Sequence, residues 1–160
     1  MVCPCETPEG RKIGIVKNFA LMTKVTNGLN ESLNEGLKEL LRELGGYKEF
    51  SDCEDLNDLD DFITKTKVFL NGNWIGFTNR AQNLVQSLKM ARTRQLIPAE
   101  VSIVRDILHK EIRIYTDSGR WMRPLLVVSN NKMKLNPSKI NNSTTFQQLL
   151  REGVVEFIDV

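Results

Sequence analysis

Histidine is nearly missing from this sequence of 160 residues, cysteine is scarce, and no long apolar run occurs. With His109 as the single imidazole, no nucleophile–base–acid constellation is legible, and catalysis by the chain on its own is not expected. No stretch approaches the roughly 18 apolar residues that cross a bilayer, so no membrane partner is expected. The start, MVCPCETPEGRK, lacks the basic-then-apolar pattern of a secretory signal. The three cysteines, with Cys3 and Cys5 one residue apart, argue against a disulfide framework and for a reducing compartment. The sequons at Asn30, Asn141 and Asn142 then read as accidental. Zinc takes four ligands at about 2.0–2.3 Å, usually as two spaced pairs. Beyond Cys3 and Cys5 the candidates are Cys53 and His109, which form no second pair, and no metal site is expected. Gly10–Lys17 (GRKIGIVK) lacks the Gly-Lys-Ser/Thr ending of a phosphate loop. A calcium loop begun at Asp55 fails as well, with Leu59 at its fifth position and Thr66 at its twelfth.

What is present is a globular composition, 41% hydrophobic and 26% charged, long enough for one ordinary core or parts of two. The net charge of +2 hides a division. Residues 51–61 hold six acids (Asp52, Glu54, Asp55, Asp58, Asp60 and Asp61) and no base. Residues 62–160 carry fifteen Lys and Arg against seven Asp and Glu. Such asymmetry fits either a face that meets an anionic partner or an ordinary solvated surface.

Periodicity predicts an α+β chain, mostly antiparallel, with three to four helices. In the first segment Pro4 and Pro8 stiffen the backbone, Gly10 and Gly14 free it, and Ile15-Val16 and Phe19–Met22 read as apolar core. Leu29, Leu33, Leu37, Leu40, Leu41 and Leu44 make one helical stripe, with the helix over about Glu31 to Leu44. Ser32 with Glu35 matches a capping box there, and Gly45-Gly46 a stop. Asn71-Gly72 between apolar runs predicts a tight hairpin of type I′. A helix is expected from about Asn79 to Arg94, with Leu84, Val85, Leu88 and Ala91 inward. Val101–Val104 should pair with Glu111–Thr116, Asp117-Ser118-Gly119 should turn the chain, and Leu125–Val128 should be a short buried strand. A last helix, Thr144 to Arg151 with Gln147 at the box position, leads into a strand from Val154 to Ile158.

Five blocks then follow one another in a known order. They are Val2–Leu21 (VCPCETPEG, then GIVKNFAL), Asn71-Gly72-x-Trp74-x-Gly76, Glu100–Asp106 (EVSIVRD), Ile114–Leu125 (IYTDSGRWMRPL) and Leu149–Asp159 (LLREGVVEFID). Together they resemble the second-largest subunits of nuclear DNA-directed RNA polymerases, and the Ser102–Asp106 and Tyr115–Arg120 blocks resemble polymerase II more than I or III. Cys5, Arg11-Lys12, Thr78-Asn79 and Thr93 depart from the family's usual residues and suggest a divergent lineage.

The resemblance implies a part of a nucleotidyltransferase that transcribes DNA into RNA in the nucleus, with this stretch a fragment from the middle of a longer chain. It implies a fork-proximal segment at 1–26, ending a truncated domain, and a helix with an acidic connector at 27–66. An outer-lobe α+β domain would occupy 67–128, and 129–160 would lead to a further domain. Partners would be the largest subunit and other polymerase subunits, the DNA template and the RNA–DNA hybrid. Two Mg2+ ions would serve the holoenzyme, held by ligands outside this stretch. The fork-proximal motif would be Glu6, Thr7, Pro8, Glu9 and Gly10, with Arg11, Lys12 and Lys17 as candidate phosphate contacts. Like charge keeps Glu6 and Glu9 off phosphate, so they would brace neighbouring bases or simply pair with them. No residue is expected to be catalytic. A free-standing basic nucleic-acid-binding module, or a protein-interaction module, is the alternative reading.

Overall fold

The computed structural model describes residues 1–28, 30–44, 46–50, 64–141 and 143–159. The acidic stretch, Cys53, Leu29 of the leucine stripe and the expected helix stop at Gly45 lie outside the described residues. Among the described residues are β1 (Lys24–Asn27), α1 (Glu31–Glu43), β2 (Tyr47–Glu49), β3 (Thr66–Leu70) and β4 (Asn73–Thr78). Next come α2 (Ala81–Thr93), β5 (Ser102–Asp106), β6 (Glu111–Tyr115) and β7 (Ser118–Leu126). The chain closes with β8 (Val128–Ser129), β9 (Lys132–Met133), α3 (Phe146–Arg151) and β10 (Val155–Asp159). The class is α+β, with β3–β6 the one parallel pairing among the described strands. Two compact units divide the chain: Gly28–Asp117, and Met1–Asn27 with Ser118–Val160.

The Gly28–Asp117 unit is built on a five-stranded sheet in the order β2-β4-β3-β6-β5. Alternation along the strands sends one set of side chains inward. Val68 stands opposite Ile112, Leu70 opposite Ile114, and Ile103 opposite Ile114 on the other side. All five are buried, and they pack with Leu84, Leu88 and Ala91 of α2 and Leu37 and Leu41 of α1. Burying each large aliphatic side chain stabilises the unit by roughly 1.5–3 kcal/mol. The Asn-Gly hairpin forms as the sequence predicts, with Asn71 and Gly72 both at positive φ, 50° and 83°. Asn71 does more than turn the chain. Its Oδ1 accepts the Thr116 N–H at 2.7 Å, and its Nδ2 donates to Thr116 Oγ1 at 2.8 Å. That hydroxyl donates in turn to Asn34 of α1 at 2.7 Å, so the buried Thr116 is fully satisfied.

Gly76 explains itself by contact. A Cβ there would stand 2.2 Å from the Lys48 carbonyl and 2.8 Å from the Tyr47 ring. Only glycine lets β2 approach β4 this closely. At the β5–β6 turn, His109 donates its backbone N–H to Asp106 at 3.0 Å, and its Nδ1 lies 2.7 Å from the other carboxylate oxygen. These bonds hold the Asp106 carboxyl below its usual range. The single histidine is thus a turn brace.

In the other unit β7 is the centre of a three-stranded sheet, order β1-β7-β10. Asp117-Ser118-Gly119 is therefore not a hairpin turn. Val25 pairs with Trp121 but Asn27 with Ser118, which leaves one extra residue on β7. Gly119, at φ 79°, lies inside that bulge, whose left-handed residue glycine suits. The buried strand expected at Leu125–Val128 is likewise replaced by the longer β7, with Met122 buried and Leu126 and Val128 exposed. Arg120 forms an ion pair with Asp159 of β10 and donates its backbone N–H to Thr26 of β1 at 3.0 Å.

Caps differ from expectation in detail. Asn30, not Ser32, precedes α1, and its side chain makes no capping bond. The second capping box is real but one residue later, with Thr145 accepting from the Gln148 N–H and Gln148 accepting from the Thr145 N–H. Thr144 is engaged elsewhere, because its hydroxyl accepts the Asn141 N–H at 3.0 Å.

Candidate functional site

Two short backbone runs at the start of the chain clamp a loop between them. Val2 bridges Phe19, the Cys3 N–H donates to the Asn18 carbonyl at 2.9 Å, and the Ala20 N–H donates to the Met1 carbonyl at 2.9 Å. Thr23 Oγ1 adds a bond to the same Met1 carbonyl at 2.8 Å. Residues 4–17 are therefore tied at both ends. Inside the loop the Gly14 N–H donates to Thr7 Oγ1 at 3.4 Å, and Asn18 Nδ2 donates to the Glu6 carbonyl at 3.3 Å. A 3-10 turn, Gly10–Lys12, begins at Gly10 with φ 76°. A Cβ at Gly10 would meet nothing within 4 Å, so its glycine serves the left-handed backbone rather than a close approach.

The expected motif residues are thereby gathered on one closed loop. Glu6, Thr7, Glu9 and Gly10 are exposed and Pro8 is half-buried. Arg11 and Lys12 stand on the 3-10 turn and Lys17 just before the clamp, all three exposed. Among the described residues none of these bases pairs with Glu6 or Glu9, and Glu9 makes no capping bond to the turn it precedes. Among the described residues the two acids brace no base. An exposed pair contributes about 0–1 kcal/mol, too little to hold two long side chains in one geometry. The loop thus presents three cations to whatever it meets.

One expectation fails clearly. Ile15, Val16, Phe19, Leu21 and Met22 are exposed, Leu21 completely, where apolar core was expected. The clamp is made by backbone atoms, so it fixes the path of the segment without burying its side chains. Sequence reading also missed the partner of Phe19, which meets Trp121 of β7 edge-on at 5.0 Å and 88°. Only the apolar character of both positions hinted at it. Cys3 is half-buried and Cys5 exposed, both as thiols. Among the described residues no three His, Cys, Asp or Glu side chains converge. None of the described helices is long and apolar enough to cross a membrane.

Comparison with known proteins adds a context. The family described as RNA polymerase Rpb2, domain 3, matches residues 1–25, and that described as RNA polymerase Rpb2, domain 4, matches residues 68–129. The chain is 40% identical over 169 residues to DNA-directed RNA polymerase II subunit RPB2 of Encephalitozoon cuniculi, covering 100% of this chain and 14% of the relative. Identity is 45% over 136 residues with the RPB2 subunit of Schizosaccharomyces pombe, covering 82% of this chain and 10% of the relative. It is 32% over 166 residues with DNA-directed RNA polymerase subunit Rpo2 of Sulfolobus acidocaldarius, covering 99% and 15%. The chain therefore spans 10–15% of the length of these relatives.

Proposed function

We propose, from the premise that this chain belongs to the Rpb2 family of RNA polymerase second subunits, that its clamped loop positions nucleic acid for transcription. The whole molecule would be part of a DNA-directed RNA polymerase of the polymerase II kind, acting in the nucleus. Its partners would be the largest subunit, other polymerase subunits, the DNA template and the RNA–DNA hybrid. In this reading residues 1–25 lie near the fork, and residues 68–129 form an outer lobe that serves as scaffold. The observation that carries the loop's role is the trio Arg11, Lys12 and Lys17, exposed on a tied backbone and unpaired with the loop's own acids. Cations held this way take up phosphate positions without reading sequence.

In this reading the chemistry of joining nucleotides would fall outside this stretch. Such enzymes use two magnesium ions, which need closely spaced carboxylates, and the described residues offer no such set. The described residues do not fit the metals, and no catalytic step is assigned to them.

Salt dependence tests the assignment. In the assembled enzyme, Arg11→Ala, Lys12→Ala and Lys17→Ala together should weaken binding to a template–RNA scaffold. The slope of log K against log salt should become shallower by about 2–3, near one unit for each lost phosphate contact. A slope equal to that of the unmodified enzyme would show that these bases do not meet phosphate.

A further inference from the structure

Away from the clamped loop, helix α1 and the segment after α2 enclose an open groove of about 380 Å³. Leu33, Leu40, Leu96 and Pro98 line it, and Leu33 and Leu96 are exposed. Gln95, at φ 61°, redirects the chain after α2 and sets Leu96 on the outer side of the groove while Ile97 turns into the core.

Two features of α1 say what the groove would take. Gly36 opens onto it, and a Cβ at Gly36 would meet nothing within 4 Å. A glycine inside a helix lowers its stability relative to alanine. Among the described residues no neighbour requires it, and the helix surface is left open there. The second feature is charge. Glu31, Glu35, Glu39 and Glu43 recur every four residues along α1, and Glu39 and Glu43 border the groove. Like charges at this spacing destabilise a helix. Among the described residues none of the four has an ion pair or side-chain hydrogen bond to offset the repulsion. The ridge is unneutralised and faces out beside an apolar trough.

We propose that this groove docks a basic amphipathic helix of another polypeptide. Leucine-sized anchors of the partner would fill the trough, its backbone would close on Gly36, and its Lys or Arg side chains would lie against Glu39 and Glu43. Anchors at positions i, i+3, i+4 and i+7 match the Leu33, Gly36, Leu37 and Leu40 wall of the groove. The α1 wall of this surface lies outside the residue ranges 1–25 and 68–129 that the two family descriptions match, the Leu96–Pro98 wall falls within the second, and the inference stands independently of the loop's role.

The probe is a fluorescein-labelled helical peptide with leucines on one face and lysines on both flanks. A second peptide carries glutamate at every lysine position. Fluorescence anisotropy against the full chain should show the lysine peptide binding at least tenfold more tightly than the glutamate peptide. Glu39→Lys with Glu43→Lys should reverse that preference. Gly36→Trp, which fills open space, should weaken the lysine peptide at least tenfold. Leu96→Asp at the exposed rim should do the same, and it replaces Gly36→Trp should that variant not fold. A lysine preference that survives the double charge reversal would place binding on other acids and overturn the proposal. Binding indifferent to both groove variants, or no binding of the lysine peptide, would overturn it too.

Discussion

Gly76→Ala is expected to lower the stability of the Gly28–Asp117 unit by about 2–4 kcal/mol. The added methyl would stand 2.2 Å from the Lys48 carbonyl, a backbone atom that cannot rotate aside. Strand β2 would have to leave β4, giving up three paired positions and the hydrogen bond from Tyr47 OH to the Ile75 carbonyl at 3.0 Å. The buried Tyr47 ring would be exposed with it. Gly72→Ala is the control. Its Cβ meets nothing within 4 Å, so it bears only the cost of φ 83°, about 1–2 kcal/mol. Denaturant midpoints of the two variants separate close approach from backbone strain. A Gly76→Ala loss no greater than that of Gly72→Ala would show that β2 yields freely.

The second large effect concerns the pair that joins the fourth and fifth sequence blocks. Arg120 and Asp159 are 14% and 11% exposed, and they pin β7 to β10. Removing one partner deprives a largely buried charge of this ion pair, so Arg120→Ala or Asp159→Ala should each cost about 3 kcal/mol. Arg120→Met with Asp159→Leu should cost less than the sum of the single changes, because neither buried charge of the pair remains. Equilibrium unfolding of the two singles and the double gives the coupling. Additive small losses, each under about 1 kcal/mol, would mean that solvent replaces the pair at no penalty.

Much of the Gly28–Asp117 unit was legible because its signals are local. Asn71-Gly72 specifies a left-handed two-residue turn, and Ile112 and Ile114 alternate with Arg113 at the period of a strand. The leucines of α1 fall on one stripe. Strand β7 was not legible, since its partners lie far away in sequence: the Arg120 N–H reaches Thr26 across 94 positions. Asp117-Ser118-Gly119 has the composition of a turn, yet pairing with β1 makes it a bulge. The final cap moved by one residue because Asn141 claims Thr144, a competition that a box pattern does not contain.

The candidate loop divides the same way. Its prolines and glycines announced a fixed path, and the path is fixed. The fate of its side chains was hidden, because an apolar run such as Phe19–Met22 signals affinity for a covering surface without naming one. Ion pairing of Arg11, Lys12 and Lys17 was equally hidden, since exposed pairs are decided by margins below about 1 kcal/mol.

The central claim is that the clamped loop meets nucleic acid. A photo-crosslinking benzophenone residue placed at Lys12 in the assembled enzyme, on a labelled template–RNA scaffold, tests it directly. A second probe at Lys89, exposed on α2, is the reference. Label transfer to DNA or RNA from position 12 should stand well above that from position 89. Equal transfer from both, or crosslinks from position 12 to protein alone, would contradict it.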